Sequence, residues 1–138
     1  MKKIKILVPL DSTQRSMHSL NWLKKVFSKD VISITIMNVM EMVITNNTVD
    51  PIQNEFDNLG EQSKLYLDKA IKELDGYEVE KFTSWGYAGD EILKKTQKDS
   101  YDIVIMTKSS KKGLYRLIGS VTSKVVRNAQ VAVIVIPD

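Results

Sequence analysis

The chain has 138 residues, 43% hydrophobic and 27% charged, with a formal net charge of +3. That length fits one domain, residues 1–138, able to bury about 70% of its unfolded surface. The small net charge gives no whole-molecule basis for gripping nucleic acid. With no cysteine, disulfides, thiol chemistry and thiolate metal sites are excluded. No apolar run approaches the roughly 20 residues that cross a bilayer, and both features fit a cytoplasmic protein.

The first segment, "MKKIKILVPLD", has lysines and an apolar run as a signal peptide does. The run is too short, and Asp11 follows with no small-residue cleavage site, so residues 4–10 read as a strand. "DST" ends it with side chains that cap helices, and Met17, Leu20, Leu23 and Phe27 recur at helical spacing. "VISITIMNV", rich in β-branched residues, reads as the second strand. "MEMVITNNTVDP" has no period and reads as a loop. Apolar residues at 52, 56, 59, 67, 70, 71 and 74 mark one face of a long helix, stopped by Asp75-Gly76. "YEVEKFTSW" alternates as a strand. "GYAGDEILKKTQKD" reads as a short helix with Ala88, Ile92 and Leu93 inward, its glycines easing the turn from strand to helix. "YDIVIM" is the fourth strand. The last helix runs from Leu117 or Gly119 to Ala129, with Val121, Val125, Val126 and Ala129 inward, and "VAVIVIP" is the fifth strand.

Strict alternation of strand and helix implies an α/β fold of parallel strands with helices on both faces. The apolar runs of strands 1, 2, 4 and 5 agree, because central parallel strands are buried on both sides. Ligands of such sheets bind at the strand carboxyl ends, where strand order reverses. The residues there are Pro9 and Asp11, Asn38 and Val39, Met106 to Ser110, and Gly119-Ser120 opening the last helix. Six of the 20 basic residues, Lys108, Lys111, Lys112, Arg116, Lys124 and Arg127, cluster in the same part of the chain. Each marker has a plainer structural reading. Asp11 equally serves as a cap, Gly119-Ser120 starts a helix with or without ligand, and a lysine cluster is commonly a solvated loop.

The frame "ILVPLD", Gly86-x-Ala88-x-x-Glu91-Ile92-Leu93, "YDIVIM", "GLYRLIGSVTSKVVRNA" and the closing "VAVIVIP" resembles a universal stress protein over nearly the whole length. The resemblance implies a single Rossmann-like domain of the adenine nucleotide alpha hydrolase type, its five-stranded parallel sheet ordered 3-2-1-4-5. It implies a cytoplasmic stress-response regulator, with ATP or another adenine nucleotide as ligand, with or without magnesium. ATP-binding members carry G-x2-G-x9-G-[ST] after strand 4. There, glycines let backbone N–H groups approach the phosphates, and the last pair opens a helix N-terminus that favours anions. Carried over, Asp11 meets the nucleoside and Val39 the adenine. Pro9, Asn38, Met106, Lys108, Lys111 and Val121 complete the surround, and Gly119-Ser120 is retained. Thr107 and Ser110 stand where the first two glycines belong, and eight residues rather than nine separate Ser110 from Gly119. Serine and threonine still supply N–H groups, and the lysines favour phosphate.

Enzyme readings find no support in the residues. A single histidine, His18, cannot supply a paired-histidine motif, and there is no P-loop, G-x-G-x-x-G or nucleophile elbow. Any ATP hydrolysis would be very slow, for want of an evident general base. The uncharged run "VAVIVI" would lie at a sheet edge, which invites pairing. The resemblance implies a homodimer through residues 133–136. Two functions stay open: a nucleotide-binding stress protein, and a dimeric interaction module without ATP whose lysine-rich 107–112 loop serves partners or another anion.

Overall fold

The computed structural model describes residues 2–41, 52–108 and 119–137, with side chains of 52–57 excepted. The apolar run after Lys3 forms β1 (Ile4–Pro9). A 3-10 turn (Arg15–Met17) leads into α1 (His18–Val26), followed by β2 (Ile32–Met40), α2 (Ile52–Lys72) and β3 (Glu78–Trp85). Then come α3 (Ala88–Asp99), β4 (Ile103–Thr107), α4 (Ser120–Asn128) and β5 (Ala132–Ile136). The sheet order is β3-β2-β1-β4-β5 with every pair parallel, as expected of the α/β Rossmann-like reading.

Strand alternation divides the apolar residues between two cores. Ile6 and Val8 of β1, Ile32, Ile34 and Ile36 of β2, and Ile105 of β4 meet Leu20 and Leu23 of α1, Leu67 and Ala70 of α2, and Leu74 in the turn that follows it. On the other face Leu7, Met37, Val104 and Met106 meet Ile92 of α3 and Val125 of α4. Each fully buried Leu or Ile contributes about 1.5–3 kcal/mol, so both cores are needed to hold a sheet of this size.

Three details differ from the sequence expectations. The first helix starts later than "DST" implies, because Asp11 and Thr13 bond to each other in a loop of their own. Phe27 is extended and lies just beyond α1. Val126, expected inward, is 45% exposed, since α4 turns only Val121, Thr122, Val125 and Ala129 toward the sheet side. The expected loop of "MEMVITNNTVDP" is described only at Met40 and Glu41, and Leu117 lies outside the described residues.

The turn into α3 accounts for the first glycine of "GYAGDE". Gly86 has φ +145, which side chains rarely adopt, and an added Cβ would meet Glu91 Cγ at 3.1 Å. Its N–H donates to Met40 O at 3.2 Å, and Glu41 Oε1 accepts from Ala88 N at 2.9 Å. The end of β2 is thereby tied to the start of α3.

Candidate functional site

The order β2-β1-β4 places the ends of three strands side by side, with the connections from β1 and β4 leaving toward opposite sides of the sheet. This is the reversal point at which such sheets leave a crevice. Met106 belongs to the buried cluster under α3 and α4, and Val39 and Val121 pack against that cluster. Pro9, two residues beyond Leu7, lies on that same face of β1. Of the apolar residues expected at the site, Val39, Met106 and Val121 therefore share one cluster, and Pro9 lies on the same face of the sheet.

Helix α4 opens beside them. Gly119 is its N-cap, with φ −56 and ψ 158, and Gly119 O accepts the Ser123 N–H at 2.9 Å. The N–H groups of Ser120, Val121 and Thr122 precede that first helical bond, and Gly119 has no side chain with which to cap them. Ser120 itself is exposed. Such an end carries partial positive charge and donors suited to a phosphate.

Asp11 lies beyond the end of β1 with its side chain 55% exposed. Its Oδ1 accepts from Thr13 N at 3.0 Å and Thr13 Oγ1 at 2.5 Å, and its Oδ2 is 3.8 Å from Arg15 Nη2. One carboxylate oxygen thus organises the loop, while the other faces a cation at the surface. Ser12, between them, has φ +71, a left-handed conformation uncommon outside glycine.

Asn38 is 3% exposed and its amide is engaged within the protein. Nδ2 donates to Leu10 O at 2.7 Å and to Ser12 Oγ at 3.0 Å, while Oδ1 accepts from Ser63 Oγ at 2.7 Å. Its position in β2 explains this. Asn38 shares the side of Ile34 and Ile36, toward α2, whereas Val39 points the other way, toward Met106.

The same alternation sends Thr107 toward α1, on the side of Ile105. Its Oγ1 accepts from Ser19 N at 3.1 Å, lies 2.5 Å from Ser19 Oγ, and donates to Ser16 O at 3.3 Å. One hydroxyl has one proton and two lone pairs, so this set occupies it fully. Thr107 therefore fastens the end of β4 to the start of α1 and has no hydroxyl capacity for a ligand. The main chain continues with Lys108 N donating to Ile136 O at 2.7 Å. Ser110 and Lys111, expected in the phosphate loop, lie outside the described residues, as do Lys112 and Arg116.

Sequence reasoning missed Ser16, Ser19, Ser63 and Tyr66. Tyr66 Oη donates to Thr13 O at 2.9 Å and lies 2.5 Å from Ser16 Oγ. Burial pushes the Tyr66 phenol up, the Ser16 hydrogen bond opposes this, and the Asp11 charge adds to the rise. A signal for Ser63 existed: it sits four residues before Leu67, a small polar residue on the apolar stripe of α2. Among the described residues no group of three or more His, Cys, Asp or Glu could hold a metal. No described helix is long and apolar enough to cross a membrane.

The universal stress protein family matches residues 4–137. Universal stress protein MJ0577 of Methanocaldococcus jannaschii is 33% identical over 95 residues, 66% of this chain and 59% of that protein. The solved structure of MJ0577 superposes with a TM-score of 0.83 at 25% identity, covering 100% of this chain and 98% of that one. Universal stress protein UspA from Lactobacillus plantarum has a TM-score of 0.80 at 21% identity, covering 99% of each chain. A family protein from Arabidopsis thaliana, solved with AMP bound, has a TM-score of 0.64 at 17% identity, covering 97% of this chain and 91% of that one.

Proposed function

The chain belongs to the universal stress protein family, and from that premise we propose that it holds an adenine nucleotide at the carboxyl ends of β1, β2 and β4. The observation that carries the reading is the apolar cluster shared by Val39, Met106 and Val121, on the face of the sheet where Pro9 lies, with Val121 in the first turn of α4 and no side-chain cap at that helix end. An adenine ring packs against the apolar four. The ribose hydroxyls donate to Asp11 Oδ2. A phosphate accepts from the N–H groups at Ser120 and Val121, with Ser120 Oγ in reach. Lys108, Ser110 and Lys111 supply further donors for the phosphates. Magnesium, when present, is held by phosphate oxygens and water, since no described side-chain cluster offers a site for it. The bound AMP of the Arabidopsis relative supports the choice of ligand.

The role that follows is a switch rather than a catalyst. Binding changes affinity for a partner, here a stress-response partner met in the cytoplasm. The domain acts as one unit over residues 1–138 and pairs with a second copy through residues 133–136 of β5. The contrast between the two sheet edges supports that pairing. β3 is blunted by Glu78, Glu80 and Lys81, whereas β5 is uncharged from Ala132 to Ile136.

A second reading, a dimeric module without nucleotide, draws on one observation: the Thr107 hydroxyl is fully engaged with Ser16 and Ser19. The test separates the two. Purified protein is denatured and its supernatant chromatographed for adenine nucleotide, and refolded or ligand-free protein is titrated with AMP and with ATP plus magnesium by calorimetry. Binding that Asp11→Ala and Gly119→Val each weaken about tenfold or more supports the nucleotide reading. No binding at millimolar concentration refutes it.

A further inference from the structure

We propose that Asn38 and Ser63 are positioning residues for the Asp11 carboxylate, so that helix α2 sets the affinity for the nucleoside part of the ligand. This rests on the nucleotide reading above, and it places Asn38 behind the site rather than against the ligand. Three observations carry it. Asn38 and Ser63 are each 3% exposed, so neither side chain is open to solvent or ligand. Their amide and hydroxyl form a continuous path from α2 to the loop after β1: Ser63 Oγ to Asn38 Oδ1, then Asn38 Nδ2 to Leu10 O and Ser12 Oγ. The residues so held flank Asp11 on both sides, and Ser12 has a positive φ that a loop without outside support would not keep.

Among the described residues, the hydrogen bonds and ion pair of the Asp11 carboxylate all lie within its own loop. Its bonds go to Thr13 and Arg15, two and four residues on. The loop is thus locally shaped but externally aimed, and Asn38 does the aiming. A buried amide with its partners met is rigid, and rigid support is what lets a surface carboxylate bind without first being ordered. Because Ser63 belongs to α2, a displacement of that helix reaches Asp11 through two hydrogen bonds.

The experiment compares wild type, Ser63→Ala, Asp11→Ala and the double variant by calorimetric titration with adenosine, AMP and pyrophosphate. Tyr101→Phe is the control, since it deletes a buried hydrogen bond, Tyr101 Oη to Thr35 Oγ1 at 2.9 Å, at the opposite end of β4. Ser63→Ala is expected to weaken adenosine and AMP about threefold to tenfold, the worth of one hydrogen bond. Pyrophosphate is expected to be unaffected, and Tyr101→Phe to leave all three ligands within about twofold. In the Asp11→Ala background the Ser63→Ala effect should vanish, which a general loss of stability would not produce. Hydrogen exchange gives a readout without ligand: the Thr13 amide should exchange faster in Ser63→Ala and not in Tyr101→Phe. Additive losses, an equal loss for pyrophosphate, or unchanged Thr13 exchange would overturn the proposal while leaving the nucleotide reading intact. A wild type that binds none of the three refutes that reading and this proposal with it.

Discussion

Replacing Thr107 by valine keeps the shape of the side chain and removes its hydroxyl. Three contacts go with it: Ser19 N at 3.1 Å, Ser19 Oγ at 2.5 Å and Ser16 O at 3.3 Å. The last is long and weak, and Ser16 Oγ keeps its own bond to Thr13 O at 2.9 Å. Ser19 is fully buried at 0% exposure, so its N–H and hydroxyl lose a partner that water does not replace. A buried donor left unpaired costs about 1–3 kcal/mol, and the Ser19 hydroxyl recovers part by rotating to another acceptor. The expected loss is about 2 kcal/mol, or about 6–8 °C in Tm for a domain of this length. Urea unfolding followed by circular dichroism measures it as a lower midpoint at unchanged slope. Thr107→Ser keeps the hydroxyl and loses only a half-buried methyl, about 0.5 kcal/mol. Equal losses in the two variants, or a valine variant within about 0.5 kcal/mol of wild type, would refute the latch.

Three further outcomes are expected. Gly86→Ala destabilises by about 1–3 kcal/mol in the same unfolding assay, because φ is +145 there and the new methyl meets Glu91; a neutral result would mean that the turn relaxes freely. The hydrogen bond from Lys95 holds the Asp99 carboxyl below its ordinary 3.8, with burial opposing. A lowered carboxylate stabilises above its unfolded pKa and loses that contribution as pH falls through the lowered value. The stability gap between wild type and Lys95→Met should therefore narrow below about pH 4 and shrink with salt, and a gap constant from pH 7 to 2 argues against the pair. Val135→Lys puts a charge on the open β5 edge and should convert a homodimer to monomer in light scattering, whereas a wild type already monomeric at micromolar concentration rules the dimer out.

The fold was legible because its signals are local and repeated. Val104, Ile105 and Met106 cannot be exposed on either face of a strand, and a strand buried on both faces implies helices on both sides. The apolar character of the strand ends at Val39 and Met106 followed from the same pattern. The polar framework did not. Asn38 reaches Ser63 across 25 residues, Ser16 reaches Tyr66 across 50, and Ser19 reaches Thr107 across 88. Hydroxyl partners so far apart leave no period in the chain. Only their parity was readable: Asn38 falls with Ile36, and Thr107 with Ile105, on the face toward α1 and α2. Val126 shows the converse limit, since an apolar residue near a helix end need not face inward.

That parity bears on the expectation that Thr107 stands where ATP-binding relatives carry a glycine. Glycine in a phosphate loop serves either a positive φ or a close backbone approach. Among the described residues the only non-glycine positions with positive φ are Ser12 and Ser100, so Thr107 ends β4 in an ordinary extended conformation. Its side chain points to Ser16 and Ser19, away from Met106, Val39 and the α4 N-terminus. The threonine therefore takes neither conformation nor space from the site, and its effect is to anchor the β4 exit. Thr107→Gly should accordingly lose the latch, adding roughly 1 kcal/mol of glycine entropy to the cost of the valine variant. It should not improve AMP binding, because a looser β4 exit must be ordered when ligand binds. Calorimetry decides: a glycine variant that binds AMP tenfold more tightly than wild type would mean that the threonine does obstruct the phosphates, and that anchoring is not its role.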